Sequence, residues 1–256
     1  MSKGRSKHTA AKITMALTAV LLALALGLLG YYLNEYRRAE KTYDKLAGIA
    51  FGIEGVSGAG AGTVSPDDPP VDHAALSAIN PDYVGWLRVG GTRISYPVVR
   101  SDIDQYYLRR DFYGERSTAG TVFMDSRNSR DFGDASTFLY GHNMHDGSMF
   151  AQLKRFKDAD FFRQNKYIRV SAPGRELTYE IFAVYETRAR DVPYYIGTLT
   201  AEELTAFRGA IAQRALQSRE SSPAAQGSIL TLSTCSTSAG GARIIIHAAL
   251  VGVAVI

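Results

Sequence analysis

The sequence predicts a mainly β fold, a closed or nearly closed barrel with peripheral helices, preceded by an N-terminal transmembrane helix. Three observations predict it. Eight short segments rich in β-branched and aromatic residues recur between residues 84 and 256, each bounded by Gly, Pro, Asn or Asp. Only two helical patterns interrupt them. A single long apolar run without charge stands apart, near the N-terminus. Within the 256 residues, 46% are hydrophobic, with 15 Tyr and 11 Phe, which is enough apolar mass for a full core and suits a β-rich body.

Residues 1–12 carry Lys3, Arg5, Lys7 and Lys12 and form a basic tail. Ile13 to Leu33 then runs without a charge. At about 1.5 Å per residue it spans roughly 30 Å, the thickness of a bilayer core. Tyr31 and Tyr32 lie at its far end, where an aromatic belt sits. The basic flank argues for a cytoplasmic N-terminus and an extracellular C-terminal domain on a single-pass cell-membrane anchor, although Arg37 and Arg38 reduce the charge asymmetry. A cleaved signal peptide is the competing reading. Against it, the run exceeds the usual signal length and no small-x-small site follows.

Residues 34–50 read as a polar helical stalk, and 52–70 as a flexible linker containing GVSGAGAG and SPDDPP. The glycines do not make a phosphate loop, because no Lys-Ser/Thr follows and no strand precedes. Stalk and linker together cover 34–70, and the folded domain covers 71–256. Within it VGWLRV, ISYPVVR, GTVFMD, STFLY, YIRVSA, LTYEIFAVYETRAR, SILTLST and RIIIHAALVGVAVI are the strand candidates. GSMFAQLKRF reads as a helix. So does TAEELTAFRGAIAQRAL, where Thr200 and Glu203 form a capping-box pattern and Leu204, Phe207, Ile211 and Ala215 recur at helical spacing. The net charge of +4 is mild and partly in the N-terminal tail, so it does not point to nucleic acid. No Walker loop, dinucleotide fingerprint or CxxC pair is present.

The chain has one cysteine, Cys235, so no disulfide forms within it. A lone Cys is usually a small buried hydrophobe. The other reading is a reactive thiol, and the neighbourhood bears on it. An apolar strand runs up to Cys235, a small Gly-rich turn follows, and a second strand starts with Arg243. If the two strands pair as a hairpin-like unit, Cys235 and Arg243 come together at one end. A thiol beside a fixed cation favours its thiolate, and arginine is a suitable donor to a developing oxyanion. Of the five histidines, His8 is in the tail, His73 at the domain's edge and His247 inside the last strand. His142 directly follows Gly141 at the end of STFLY, on a rigid support, whereas His145 lies deeper in a polar loop. An HxxH pair with no nearby Cys or carboxylate set does not match a metal-ligand spacing, and neither a metal nor another cofactor is expected.

FLYGHNMHDGSMF, together with TLSTC followed by Arg, resembles the signature motifs of class B sortases. INPDYVGWLRVGGTRISYPVV and DQYYLRRDFYGERSTAGTVFMD resemble other stretches of the same family, so the likeness covers roughly Asp72 to Ile256. The resemblance implies a closed sortase-type β-barrel and a Cys-His-Arg site, carried here by Cys235, His142 and Arg243. It implies a cysteine transpeptidase that cleaves a C-terminal sorting signal of the Asn-Pro-x-Thr-x kind after Thr. The thioacyl product then passes to an amine, from a cell-wall precursor or from a pilin. The partners implied are a secreted surface protein bearing that signal, the amine nucleophile, and the lipid bilayer through residues 13–33. Leu108, Tyr195, Ile196 and Ser233 fall where the family lines its substrate groove. The helix near 200–217 resembles one that class B enzymes carry before the catalytic strand. Three features depart from the pattern: Ser236, Thr237, Ser238 and Ala239 follow the cysteine where acidic or aromatic residues are common, the Cys-to-Arg spacing of 8 is on the short side, and Asp104 stands where some members have Asn.

At ordinary values of about 8.5 for Cys and 6.5 for His, only ~3% of the thiol is thiolate at pH 7. The residues alone leave open whether the pair rests as an ion pair. They also leave open a hydrolytic cysteine peptidase, since water and an amine use the same thioester, and a tethered barrel that only displays a binding surface and is indifferent to Cys235.

Overall fold

The computed structural model describes residues 3–52, 69–220, 227–235 and 241–256, and of Cys235 it describes the backbone. Positions 53–68 of the expected linker and the turn at 236–240 lie outside the described residues. Helix α1 (Lys3–Phe51) contains the apolar run, and its stretch Thr14–Phe51 is long and apolar enough to cross a membrane. The apolar window is wholly uncovered by the rest of the chain. It fits a membrane anchor.

Nine strands follow among the described residues. They are β1 (Tyr83–Val89), β2 (Ser95–Val99), β3 (Val122–Met124), β4 (Ser136–His142), β5 (Tyr167–Ala172), β6 (Arg175–Arg188), β7 (Gln217–Ser218), β8 (Ile229–Cys235) and β9 (Ala242–Val255). Eight of them form one sheet in the order β5-β1-β2-β3-β4-β8-β9-β6, and β5 pairs with β6 to close it into a barrel. Strand β7 adds to β6 from outside that ring, at Ala183 and Val184. Closure removes the unpaired edges that an open sheet of this size would expose. The pairings are antiparallel except β2 with β3 and β4 with β8. Every residue of β2, β3 and β4 is buried, so large apolar residues occupy successive positions there, as at Val98 and Val99 and from Phe138 to Tyr140, rather than alternating with polar ones.

The helices cover what the barrel leaves open. In α4 (Ala201–Ala212) Thr200 caps the Glu203 N–H while Glu203 returns a bond to the Thr200 N–H, as the sequence pattern predicts. Its Phe207 stacks against Phe138 of β4, with ring centres 6.2 Å apart, and meets His247 edge-on at 5.4 Å. GSMFAQLKRF is not an α-helix. It forms a 3-10 helix over Phe150–Lys157 whose Phe150, Leu153 and Phe156 are buried. Two short helices, α2 (His73–Ile79) and α3 (Ala159–Gln164), carry N-caps at Asp72 and Asp158. Neither has enough turns to show a period in the sequence.

The segment read as a stalk also differs. Tyr43, Leu46, Ala47 and Ala50 recur at helical spacing and are all buried in the core. Phe51 packs edge-on against Trp86, and the Asp72 N–H returns to the Ala50 carbonyl at 2.8 Å. This stripe is narrow and flanked by charges, so it reads as polar. Burying its two large side chains contributes about 1.5–3 kcal/mol each. The last turns of α1 therefore belong to the folded body.

His247 is fully buried, as its place inside the last strand leads one to expect. Thr231 Oγ1 bonds its Nδ1 at 2.9 Å and Tyr185 Oη its Nε2 at 3.0 Å. Burial pushes its pKa down to about 3. Folding then excludes a proton that the unfolded chain binds below about 6.5. The stability that this ring contributes is full above that value and is lost as pH falls toward 3. Urea unfolding at pH 7 and pH 4 should show wild type losing on the order of 3 kcal/mol more than His247→Gln over that interval. Equal losses would mean that the ring does not control the acid limb.

Candidate active site

His142 is the last residue of β4, and β4 runs parallel to β8. Their register is unbroken from Ser136↔Ile229 to His142↔Cys235. Adjacent strands lie roughly 4.8 Å apart, so the backbones of the histidine and the cysteine stand opposite each other at one end of the sheet. Gly141 makes room for this: a Cβ there would lie 2.7 Å from the Phe150 ring. The missing side chain lets the 3-10 helix seat directly against the strand before His142.

The imidazole is buried, 8% exposed. Its Nε2 lies 2.6 Å from the Leu108 carbonyl oxygen. A carbonyl only accepts, so Nε2 carries the proton and, in the neutral ring, Nδ1 carries the lone pair. Nδ1 is buried and has no hydrogen-bond partner among the described residues. Burial pushes the His142 pKa below the usual imidazole value; the Leu108 carbonyl acts against this and the Arg109 charge acts with it. Burial therefore favours the neutral ring, with a desolvated Nδ1 that no described residue occupies.

Leu108 lies in a single 3-10 turn, Tyr106–Arg109, and its carbonyl is held against Gly120. Gly120 has a φ of +59°, and a Cβ on it would come within 2.6 Å of that same oxygen. Only glycine fits, for the backbone angle and for the close approach.

Arg243 enters from the other side of β8. Strand β9 pairs antiparallel with β8, and the paired register ends at Ser233↔Ile245, two residues short of both Cys235 and Arg243. The Ile244 N–H donates to Thr234 Oγ1 at 2.9 Å, which keeps the strands together there. Arg243 Nη1 reaches Ser233 Oγ at 3.4 Å, and its Nε is buried without a partner. No carboxylate pairs with Arg243 among the described residues. A half-buried guanidinium with unused donors is available to a ligand.

A cleft of about 580 Å³ opens over this end of the sheet, with Leu108, Arg109, Tyr140, His142, Tyr194 and Arg243 on its walls. Of the expected groove residues, Leu108 lines it. Ser233 is fully buried beneath Arg243. Tyr195 and Ile196 are half-buried against the core, Tyr195 stacking on Phe207 at 5.1 Å, and their neighbour Tyr194 faces the cleft instead. Asp104 also lines it, and His145 is exposed on its loop. No cluster of three potential metal ligands occurs among the described residues.

One group on the cleft wall has no counterpart in the sequence reading. The Asp125 carboxylate accepts from Arg127 Nε at 2.8 Å and Nη2 at 2.9 Å, and from Tyr140 Oη at 2.9 Å. Burial works to raise the Asp125 pKa, but the Arg127 fork and the Tyr140 hydroxyl outweigh it and hold the group below its usual value. An Asp-x-Arg after a strand reads as an ordinary surface turn. The usable signal was Tyr140, because a tyrosine inside an apolar strand needs a partner for its hydroxyl.

The sortase domain family matches residues 87–251. Sortase B of Listeria monocytogenes is 37% identical over 164 residues, 63% of this chain. The chain spans 66% of that relative's length, just under two thirds. Among solved structures, sortase B from Bacillus anthracis superposes with a TM-score of 0.70 at 32% identity, over 85% of this chain and 98% of its own. A Streptococcus pyogenes class B sortase involved in pilus biogenesis gives 0.64 at 31% identity, over 70% and 97%.

Proposed function

Since the chain belongs to the sortase family, on its class B branch, we propose that it is a cysteine transpeptidase that cleaves sorting signals of the Asn-Pro-x-Thr-x kind after Thr. The observation that carries this reading is the β4–β8 register, His142 opposite Cys235, with Arg243 on the adjoining strand at the rim of one cleft.

In this proposal His142 Nδ1 takes the Cys235 thiol proton as the sulfur attacks the Thr carbonyl carbon. Arg243 donates to the oxyanion that forms. Collapse of the tetrahedral adduct breaks the C–N bond, and His142 returns its proton to the departing amine. An incoming amine loses a proton to His142, attacks the thioester and expels the Cys235 thiolate, which regains that proton. The Leu108 carbonyl fixes the ring so that Nδ1 serves in both halves.

The donor is a secreted surface protein ending in a sorting signal, and the acceptor is an amine of a cell-wall precursor. The apolar part of α1, residues 13–33, anchors the enzyme with the N-terminus in the cytoplasm and the domain outside, as the basic tail favours. Likeness to the Streptococcus pyogenes protein favours one second reading, in which the acceptor amine belongs to a pilin subunit.

The test is incubation of the purified chain with an Asn-Pro-x-Thr-x peptide and a peptidyl amine. Mass spectrometry should detect a product joined through the Thr carbonyl. Release of the free acid alone would make it a peptidase, and an intact substrate would remove the reading.

A further inference from the structure

We infer that Tyr43, on the membrane-anchor helix α1, is a positioning residue for His142. The inference rests on reading His142 as the acid–base group. Tyr43 is 5% exposed, deep in the joint between α1 and the barrel. Its hydroxyl donates to the Gly120 carbonyl and lies 3.2 Å from Thr121 Oγ1. Thr121 in turn holds the turn that carries Leu108: its N–H donates to the Tyr107 carbonyl at 3.1 Å, and its Oγ1 donates to the Arg110 carbonyl at 3.0 Å. Gly120 itself backs the Leu108 carbonyl that receives the His142 proton.

The tyrosine is also linked, through Tyr96, to the loop that follows the histidine. Its ring meets Tyr96 edge-on at 5.2 Å, and the Tyr96 hydroxyl accepts from the Met149 N–H at 3.1 Å. Met149 closes the loop that begins just after His142, through its bridge to Asn143. One side chain is thus linked to both segments that bracket the imidazole, to one through Gly120 and Thr121 and to the other through Tyr96, and it comes from the helix whose other end fits a membrane anchor. A buried hydroxyl spent on a backbone carbonyl beside a site fixes loop geometry more than it adds stability, since a neutral hydrogen bond is worth only about 1 kcal/mol net. A small displacement of an acid–base group, by contrast, lowers the rate steeply.

The test compares the full chain in detergent micelles with Tyr43→Phe, which keeps the ring and loses the hydroxyl, and with Leu46→Ala, which loosens the same helix without touching the loop. The first readout is steady-state turnover of the sorting peptide. Tyr43→Phe should lower kcat about tenfold with KM within twofold. The second is the ¹⁵N spectrum of labelled histidine, which reports the His142 tautomer without any turnover. Wild type and Leu46→Ala should show Nε2 protonated, and Tyr43→Phe should show the two tautomers mixed. An unchanged ring signature in Tyr43→Phe overturns the inference, even if kcat falls, because the loss would then come from packing alone. So does a kcat within twofold of wild type. If the wild-type chain turns over no sorting peptide, the transpeptidase reading fails, and the ring spectra still decide whether Tyr43 positions the imidazole.

Discussion

Cys235→Ala is expected to abolish transpeptidation, by at least about 10³-fold in kcat/KM, while leaving the domain folded. The chain contains no other thiol, so no neighbour can substitute for it, and a thiol-directed alkylating agent should titrate activity to zero with one equivalent. Cys235→Ser is the sharper variant. A serine hydroxyl is nearly isosteric but, at neutral pH, is almost wholly protonated, so it lacks the anionic nucleophile that a sulfur provides. It should form no acyl adduct with a sorting peptide. Cys235 is the last residue of β8, where the ladder to β4 ends, so a small replacement costs the sheet little. The measurements are turnover, the intact mass after peptide exposure, and a melting curve. Substantial turnover in either variant would remove thioester chemistry altogether.

Arg243→Ala is expected to lower kcat/KM by about 10²–10³, the usual cost of losing one oxyanion donor. A strand-end arginine is ordinarily a solvated cation whose stem packs and whose head does nothing. Arg243 does not fit that description. Its Nε is buried without a partner, its Nη1 makes only a long contact to Ser233 Oγ, and no carboxylate neutralises it among the described residues. A fold that needed this side chain for stability would have paired it. Arg243→Lys should recover only part of the rate, because an ammonium is a compact charge that cannot give two aligned bonds to an oxyanion and a substrate backbone. The melting temperature should barely move, and Cys235 should still be alkylated. Activity within a few-fold of wild type would take Arg243 out of the site. A dead variant that also melts much lower would assign it a structural role.

By itself the sequence determined whatever depends on neighbours along the chain. The apolar run in α1, most of the strands and the capped α4 follow from local composition and period, and the resemblance of two motifs to those of class B sortases pointed to a thiol, an imidazole and a guanidinium. The antiparallel relation of β8 and β9 was legible for the same reason, since few residues separate them in the sequence. Tertiary structure alone decided how distant segments meet. His142 and Cys235 are 93 residues apart (235 minus 142), and a parallel pairing of β4 with β8 joins them; parallel strands need a long crossover, whose path no local period encodes. The tautomer of His142 depends on a backbone carbonyl, at Leu108, and a carbonyl has no letter in the sequence. Likewise the last turns of α1 read as a polar stalk because four buried residues among charges make a weak pattern; they gain their meaning only from the barrel wall that they cover. Backbone groups and long-range burial are properties of the folded chain, so only the folded chain could show how the site is held.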